Sequence, residues 1–360
     1  MLDLFAAASL IIPGIAGKTA GKDGVLAIIL GMAFAGLFSA LLVYVGRQFK
    51  KSYYEYMQKT VGTAVAIVFQ MLYFVKFFMT MIFTLGMMAQ VLDDVFMTEI
   101  PKNLFIAIML LLMIYSGTKG LEVRARTSEM LIYIVLIPVA LLFALALPKV
   151  EVSRMVPVAA GDLTNILQGG YLCFTAFTCV ELLLYVMPHV RNKKNIQKKI
   201  GTALGFACFI MVALFLLCEG LLTVEGMNQE KWPTAIIMEI VKLPGGFLSR
   251  QAGFMLSFWL FAGFIFLAGY LMYLSLMVKN IFPKTNTKSL LIFLSVVSFA
   301  LMIALPDYQI LFQGYFWYMA WIGIPQGIII PVFLIMVQNV RKVVEAKRGK
   351  NKKVGEAGQG

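Results

Sequence analysis

Long hydrophobic runs, separated by short polar segments, dominate the sequence. A helix needs about 20 apolar residues to cross the roughly 30 Å hydrocarbon core of a bilayer. Nine runs reach this length or come near it with their flanks, at residues 25–45, 61–92, 104–115, 130–147, 166–186, 201–222, 252–278, 290–305 and 309–337. A tenth run, 2–16, is shorter and contains Pro13 and Gly14. The pattern predicts an all-α integral membrane protein with ten transmembrane helices.

The composition and the distribution of charge agree with this prediction. Hydrophobic residues make up 61% of the 360 and charged residues 14%, whereas a soluble domain has about 45–50% apolar and about 25% charged residues. The net charge is +13, and most lysines and arginines fall in alternate connections, at 47–59, 119–126, 191–199, 279–288 and 341–353. By the positive-inside rule, both termini then face the cytoplasm. Topology accounts for the basic charge, so we expect contact with membrane lipid and no nucleic-acid partner.

One membrane domain, residues 1–346, is expected to be followed by a basic, disordered cytoplasmic tail at 347–360. The longest connection on the other side, 223–251, contains PTAIIMEIVKL, whose apolar residues have helical spacing. Such a segment either caps the bundle or gates a ligand. Lys76 lies near the middle of the third helix, where a charge is costly in lipid. It is either a functional ion-pair or coupling residue, or a structural one.

The first and sixth helices both carry signs of interruption. In FAAASLIIPGIAG, small residues precede Pro13, which removes a backbone donor and disfavours a continuous helix. The sixth helix follows the pair Gly169–Gly170. Its polar residues recur every three or four positions and so share one face: Gln168, Tyr171, Thr175, Thr178, Glu181 and Tyr185.

Helices one and six of ten would each open a five-helix repeat. Interrupted helices at matching positions indicate a midplane binding site in transporters built from inverted repeats, so a LeuT-like 5+5 arrangement is expected. The backbone groups freed at such breaks suit the ammonium and carboxylate of an amino acid. A polar seam that merely packs between helices explains the same spacing, and periodicity does not separate the two interpretations.

Three stretches resemble a known family. AAASLIIPG resembles the first-helix pattern of the amino acid, polyamine and organocation superfamily. FTAFTCVE resembles its sixth-helix pattern, with Cys179 where glycine is common. GLEVRARTSEML is similar to a stretch of the endospore germination permeases, and the resemblance continues through FLSRQAGFMLSFWLF over nearly the whole chain.

This resemblance implies the B subunit of a nutrient germinant receptor in the spore inner membrane or cell membrane. Its partners would be a membrane-embedded A subunit and a C lipoprotein, and its ligand a small nutrient such as an amino acid. The resemblance also implies that the chain starts inside the first helix of the family. The ligand-binding residues expected from the two interrupted helices are Ala7, Ala8, Ser9, Phe174, Thr175, Ala176, Phe177, Thr178 and Glu181.

A proton- or cation-coupled amino acid permease is the alternative function. In either mechanism Glu181 would pair with the ligand ammonium, pair with Lys76, or carry a coupling proton. The sequence contains no paired carboxylates, nucleophile triad or metal-ligand spacing that would indicate an enzyme. We therefore expect no catalysis, no metal and no cofactor.

Overall fold

The computed structural model describes residues 1–49, 51–96, 101–155, 161–190, 193–240, 251–305 and 307–357. This part of the chain is helical throughout, with short 3-10 and π-helical segments between α-helices. The α-helices are α1 (Leu2–Ala8), α2 (Ile12–Ala20), α3 (Gly24–Gly46), α4 (Tyr53–Val61), α5 (Thr63–Phe96), α6 (Lys102–Thr118), α7 (Gly120–Ala146), α8 (Leu163–Phe177), α9 (Leu183–Val186), α10 (Ile196–Gln229), α11 (Pro233–Ile240), α12 (Gln251–Ile281), α13 (Thr287–Ala304), α14 (Tyr308–Tyr318) and α15 (Ile324–Ala357).

In the part of the chain that the structure describes, we assign ten membrane crossings. Eight helical segments of the described chain are long and apolar enough to span a bilayer, and α6 is a shorter apolar helix. The segment Ile12–Gly46 combines α2 and α3, which are separated by a turn at Gly21 with φ of 59° and pack against each other. The crossings in order are α1 with α2, α3, α5, α6, α7, α8 with α9, α10, α12, α13, and α14 with α15.

The connections divide between two ends of the bundle, which differ in charge. The basic end carries Arg47, Lys51, Lys59, Lys119, Lys193 and Lys284. The acidic end carries Asp23, Asp93, Asp94, Asp162 and Asp307. Contacts between connections agree with this grouping, because Lys193 donates to the carbonyl of Phe49 at one end and Trp232 donates to Asp94 at the other. Which end faces the cytoplasm stays a prediction.

The first crossing is interrupted, as predicted. α1 ends at Ala8, residues 9–11 leave the helix, and α2 begins at Ile12 with Pro13 in its first turn. Proline has no N–H to continue a preceding helix, but at a helix start that N–H would have no intrahelical partner anyway. The sequence AAASLIIP thus ends one helix and starts another.

The sixth crossing is also interrupted, although not at its glycines. α8 ends at Phe177, and the 3-10 segment Thr178–Leu182 joins it to α9. Gly169 and Gly170 lie inside α8, where a Cβ on Gly170 would be 2.7 Å from Leu30 Cδ2 and one on Gly169 would be 2.7 Å from Thr19 Oγ1. The glycine pair therefore permits close packing of α8 on α2 and α3.

Two expectations concern the segments outside the bundle. The predicted helix in PTAIIMEIVKL is present as α11, and its residues from Val241 onward lie outside the described part of the chain. The backbone of α15 continues as a helix to Ala357, through most of the segment expected to be a disordered tail. Lysine, arginine, glutamate and alanine are good helix formers, which favours this extension. The division into membrane domain and tail stays a prediction.

Candidate ligand-binding site

A small cavity lies between the two interrupted crossings. Its volume is about 20 Å³, which is room for about one water molecule. Its wall comes from five crossings: Ala7 and Ile11; Thr80, Phe83 and Thr84; Thr175, Ala176, Thr178 and Cys179; Phe266 and Tyr270; Tyr315 and Phe316. We call it the central cavity. Any ligand larger than water requires the surrounding helices to move apart.

Hydroxyl groups supply the polar wall of the central cavity. Thr175 donates to the carbonyl of Leu172 at 2.6 Å, and Thr178 donates to the carbonyl of Thr175 at 2.7 Å. The Tyr315 hydroxyl lies 3.4 Å from Oγ1 of Thr80. A threonine hydroxyl that has donated its proton still has acceptor lone pairs. The two threonines of the sixth crossing could therefore accept hydrogen bonds from a ligand ammonium.

A buried ion pair joins the third crossing to the sixth. Lys76 Nζ lies 2.5 Å from Glu181 Oε1, and the two side chains are 2% and 1% exposed. Lys76 also donates to the carbonyl of Gly323 at 2.6 Å. Glu181 Oε2 has no hydrogen-bond partner among the described residues. Each buried charge depends on the other, because removing one partner would leave an uncompensated charge inside the protein.

A π-helical turn in the tenth crossing, Met319–Gly323, meets this pair. Such turns change the backbone hydrogen-bond register and occur often at functional sites. Two of its carbonyls accept bonds from other crossings: Ala320 from the Tyr171 hydroxyl at 2.5 Å, and Gly323 from Lys76. One turn later, Gly327 has no room for a Cβ, which would collide with Glu181 Oε1.

Four of the nine predicted ligand residues line the central cavity, namely Ala7, Thr175, Ala176 and Thr178. Their contact with a nutrient stays a prediction. The structure brings them together because residues beside both helix breaks line one cavity.

The other five predicted residues lie outside that lining. The Ser9 carbonyl accepts a hydrogen bond from the Thr234 hydroxyl of α11 at 3.0 Å. Phe174 packs edge-on against Phe38, with ring centroids 5.6 Å apart. Glu181 pairs with Lys76, which is one of the three roles that the sequence predicts for it. Ala8 and Phe177 are buried in the hydrophobic core.

Sequence reasoning missed the cavity residues of the third, eighth and tenth crossings. Thr80 and Thr84 follow Lys76, which the sequence did single out, at intervals of four residues. The three therefore share a helix face, and this polar face was detectable in the sequence. Tyr270 and Tyr315 stand among many other aromatic residues in apolar runs, and no local signal distinguishes them.

Aromatic rings fill the bundle between the ion pair and the basic end. The rings of Tyr53 and Tyr73 lie 5.7 Å apart, and Tyr185 is 6.0 Å from Tyr53 and 5.6 Å from Phe77. Burial raises the pKa of Tyr56 in α4 to about 12, so this residue stays a neutral donor. Its hydroxyl lies 3.0 Å from Oε1 of Gln338. The layer separates the central cavity from the basic end.

A second ion pair fixes the start of the first crossing. Arg124 Nη2 lies 2.8 Å and 3.0 Å from the two carboxylate oxygens of Asp3. The guanidinium also lies 5.6 Å from the ring centroid of Tyr273. Gly269 makes room for it, because a Cβ there would overlap the guanidinium. The stretch GLEVRARTSEML thus contributes a tether between α7 and α1.

Two broken helices that face one cavity, at the first and sixth of ten crossings, define the LeuT-like class of transporter fold. A closed-conformation structure of the nucleobase-cation-symport-1 family transporter Mhp1, with bromovinylhydantoin bound, matches this chain with a TM-score of 0.54 and 16% identity. The match covers 84% of this chain and 70% of that one, and at this identity it shows the fold alone. The chain belongs to the Spore_permease family, described as Spore germination protein, which it matches over residues 2–309.

Two spore germination proteins of Bacillus subtilis (strain 168) are similar in sequence to this chain. Spore germination protein YndE is 25% identical over 252 residues, which are 69% of this chain and 69% of that protein. Spore germination protein KB is 24% identical over 351 residues, or 94% of this chain and 91% of that protein. The protein is therefore a multi-pass membrane protein of a transporter-like family and not of an enzyme family.

Proposed function

We propose that this chain is the nutrient-sensing membrane subunit of a spore germinant receptor. The observation that carries the proposal is the family match over residues 2–309, in a fold whose two broken helices meet at a cavity. The ligand would be a small nutrient, preferably an amino acid, bound at the midplane. An A subunit and a C lipoprotein would receive the signal, and the basic end would face the cytoplasm, with both termini.

The geometry supports a sensing step in which binding widens the cavity. The ammonium of an amino acid would be held by the oxygens of Thr175 and Thr178, and its carboxylate by backbone amides freed at the break of the first helix. Because the closed cavity holds about one water, the first and sixth crossings must separate to admit the ligand. The first crossing is bonded to α7 through Asp3 and to α11 through the Ser9 carbonyl, so its movement would also displace residues at both ends of the bundle.

The test uses spores that carry Thr178→Val. The substitution keeps the side-chain shape and removes one hydroxyl, and a lost hydrogen bond of about 0.5–1.5 kcal/mol weakens binding roughly twofold to twelvefold. We expect the nutrient concentration for half-maximal germination to rise by that factor, with unchanged protein amount. Thr202→Val, on an exposed turn of α10, is the control and should leave the concentration unchanged. An unchanged response in Thr178→Val would contradict the proposed site.

The alternative function, a proton- or cation-coupled amino acid permease, is favoured by the transporter fold and by the buried Lys76–Glu181 pair. Purified protein in proteoliposomes separates the two. A sensor binds labelled amino acid in proportion to protein, whether or not a gradient is imposed. A permease accumulates the amino acid inside the vesicles, and a pH or cation gradient increases that accumulation.

A further inference from the structure

A second cavity lies at the acidic end, away from the two helix breaks. It lies between α5, α6, α13 and α14, is partly open, and has a volume of about 120 Å³. Its apolar wall includes Ile106 and Met302, and its polar wall includes Gln90, Lys102, Asn103 and Tyr308. We call it the acidic-end cavity.

Its polar groups have hydrogen-bonding capacity left over. Lys102 Nζ lies 2.9 Å from Gln90 Oε1 and 3.0 Å from Asp93 Oδ2, so two of its three hydrogens have acceptors among the described residues. Its side chain is 39% exposed, which leaves the third hydrogen to water or to a ligand. The Tyr308 hydroxyl is buried and has no hydrogen-bond partner within the described part of the chain. Such a buried hydroxyl is costly unless water or a ligand satisfies it.

The donors are held in place before any ligand binds. Asp94 accepts from Gln90 Nε2 at 2.7 Å and from Trp232 Nε1 at 2.9 Å. The Trp232 ring lies 5.6 Å from the Tyr308 ring. Because Gln90 in turn positions Lys102, little side-chain ordering remains to oppose binding.

The size of the cavity limits the ligand. An apolar cavity of about 150 Å³ in another protein binds benzene, which has six non-hydrogen atoms. At about 120 Å³, this cavity can take about five or six such atoms, whereas the central cavity holds about one water. An ammonium and a hydroxyl in the lining of one cavity suit a carboxylate, and the apolar wall suits a short alkyl group.

We propose that the acidic-end cavity is a second binding site, for a small carboxylate-bearing solute of the size of glycine or alanine. The carboxylate accepts from Lys102 and from the Tyr308 hydroxyl, and the alkyl group contacts Met302 and Ile106. This assignment does not depend on nutrient binding in the central cavity.

The experiment uses Asn103→Cys, because Asn103 is exposed and lines the cavity. The variant is purified in a Cys208→Ser background, since Cys208 is half-buried while the other three native thiols are buried. A membrane-impermeant thiol reagent then labels residue 103 with and without L-alanine, propionate or ethylamine. We expect L-alanine and propionate to slow the labelling and ethylamine to leave it unchanged. Protection by none of the three solutes, or equal protection by ethylamine and L-alanine, would overturn the carboxylate site.

Two tyrosines of α14 provide a matched pair. Tyr308→Phe removes the free hydroxyl of the acidic-end cavity, and Tyr315→Phe removes a hydroxyl of the central cavity. One lost hydrogen bond should raise the protecting concentration of L-alanine roughly twofold to twelvefold in Tyr308→Phe and leave it unchanged in Tyr315→Phe. An equal increase in both variants would refute the assignment. If Tyr308→Phe fails to fold, the three solutes tested on Asn103→Cys alone still decide the question.

Discussion

The Lys76–Glu181 pair allows the sharpest test of how the central site is built. Lys76→Met leaves the Glu181 carboxylate without its cation, and Oε2 of that carboxylate already has no hydrogen-bond partner in the described chain. Breaking a buried pair from one side costs about 3–5 kcal/mol. Glu181→Gln is milder, because Lys76 keeps the Gly323 carbonyl and the new amide oxygen can still accept, so we expect about 1–3 kcal/mol.

The double variant Lys76→Met/Glu181→Gln removes both charges and should be nearer to the wild type in stability than Lys76→Met alone. Replacing a buried ion pair with uncharged groups of similar volume is often neutral or stabilising. We therefore expect a coupling energy of about 3 kcal/mol, measured from thermal unfolding of the four purified proteins in detergent. Losses that simply add in the double variant would refute the view that each charge compensates the other.

The same four proteins, expressed in spores, separate structure from sensing. A double variant that accumulates normally but no longer responds to nutrient would assign the pair to the response. A double variant that accumulates and responds like the wild type would leave the pair with a structural role alone.

Three further predictions follow from local contacts and are read from the midpoint of thermal unfolding in detergent. Gly327→Ala should displace the ion pair and cost about 1–3 kcal/mol, because the added Cβ would collide with Glu181 Oε1. Gly314→Ala, whose Cβ would face open space, should be neutral or stabilising by up to about 1 kcal/mol. Equal effects of the two substitutions would contradict the close contact at Gly327. Arg124→Lys should lose about 1–2 kcal/mol, because an ammonium can still meet Asp3 but does not reproduce the contact of the planar guanidinium with the Tyr273 ring. The exposed Arg126→Lys should change stability by less than about 0.5 kcal/mol, and similar losses in both variants would argue against the tether. Thr234→Val should cost about 1–3 kcal/mol by leaving the Ser9 carbonyl unsatisfied, and an unchanged midpoint would show that this bond adds no stability.

The number of crossings and the two broken helices were predictable from the sequence. Apolar length and alternating charge are local properties, and Pro13 breaks the first helix wherever it packs. The position of the break in the sixth crossing was harder to predict. Gly169 and Gly170 pointed to the right helix, but they serve its packing, and the break falls at Thr178–Leu182.

Half of the central site depends on which helices become neighbours. The polar face of Thr80 and Thr84 could have been found from its spacing, whereas Tyr315 reaches the cavity only because the tenth crossing packs beside the third. The π-helical turn Met319–Gly323 has no local sequence signal, yet it exposes the carbonyl that binds Lys76. A pattern along one helix does not contain such contacts between helices.

The Thr234 hydroxyl, on the extramembrane helix α11, donates a hydrogen bond to the carbonyl of Ser9, which lies within the first membrane crossing. The two partners are far apart in sequence, and Ser9 belongs to the unwound turn beside the central cavity. If that turn rewinds or shifts, either the bond is lost or α11 moves with it. Most of α11 is buried, but Glu239 and Ile240 at its end are exposed, so a shift of the buried turn that moves α11 would change the surface that a neighbouring protein meets outside the membrane.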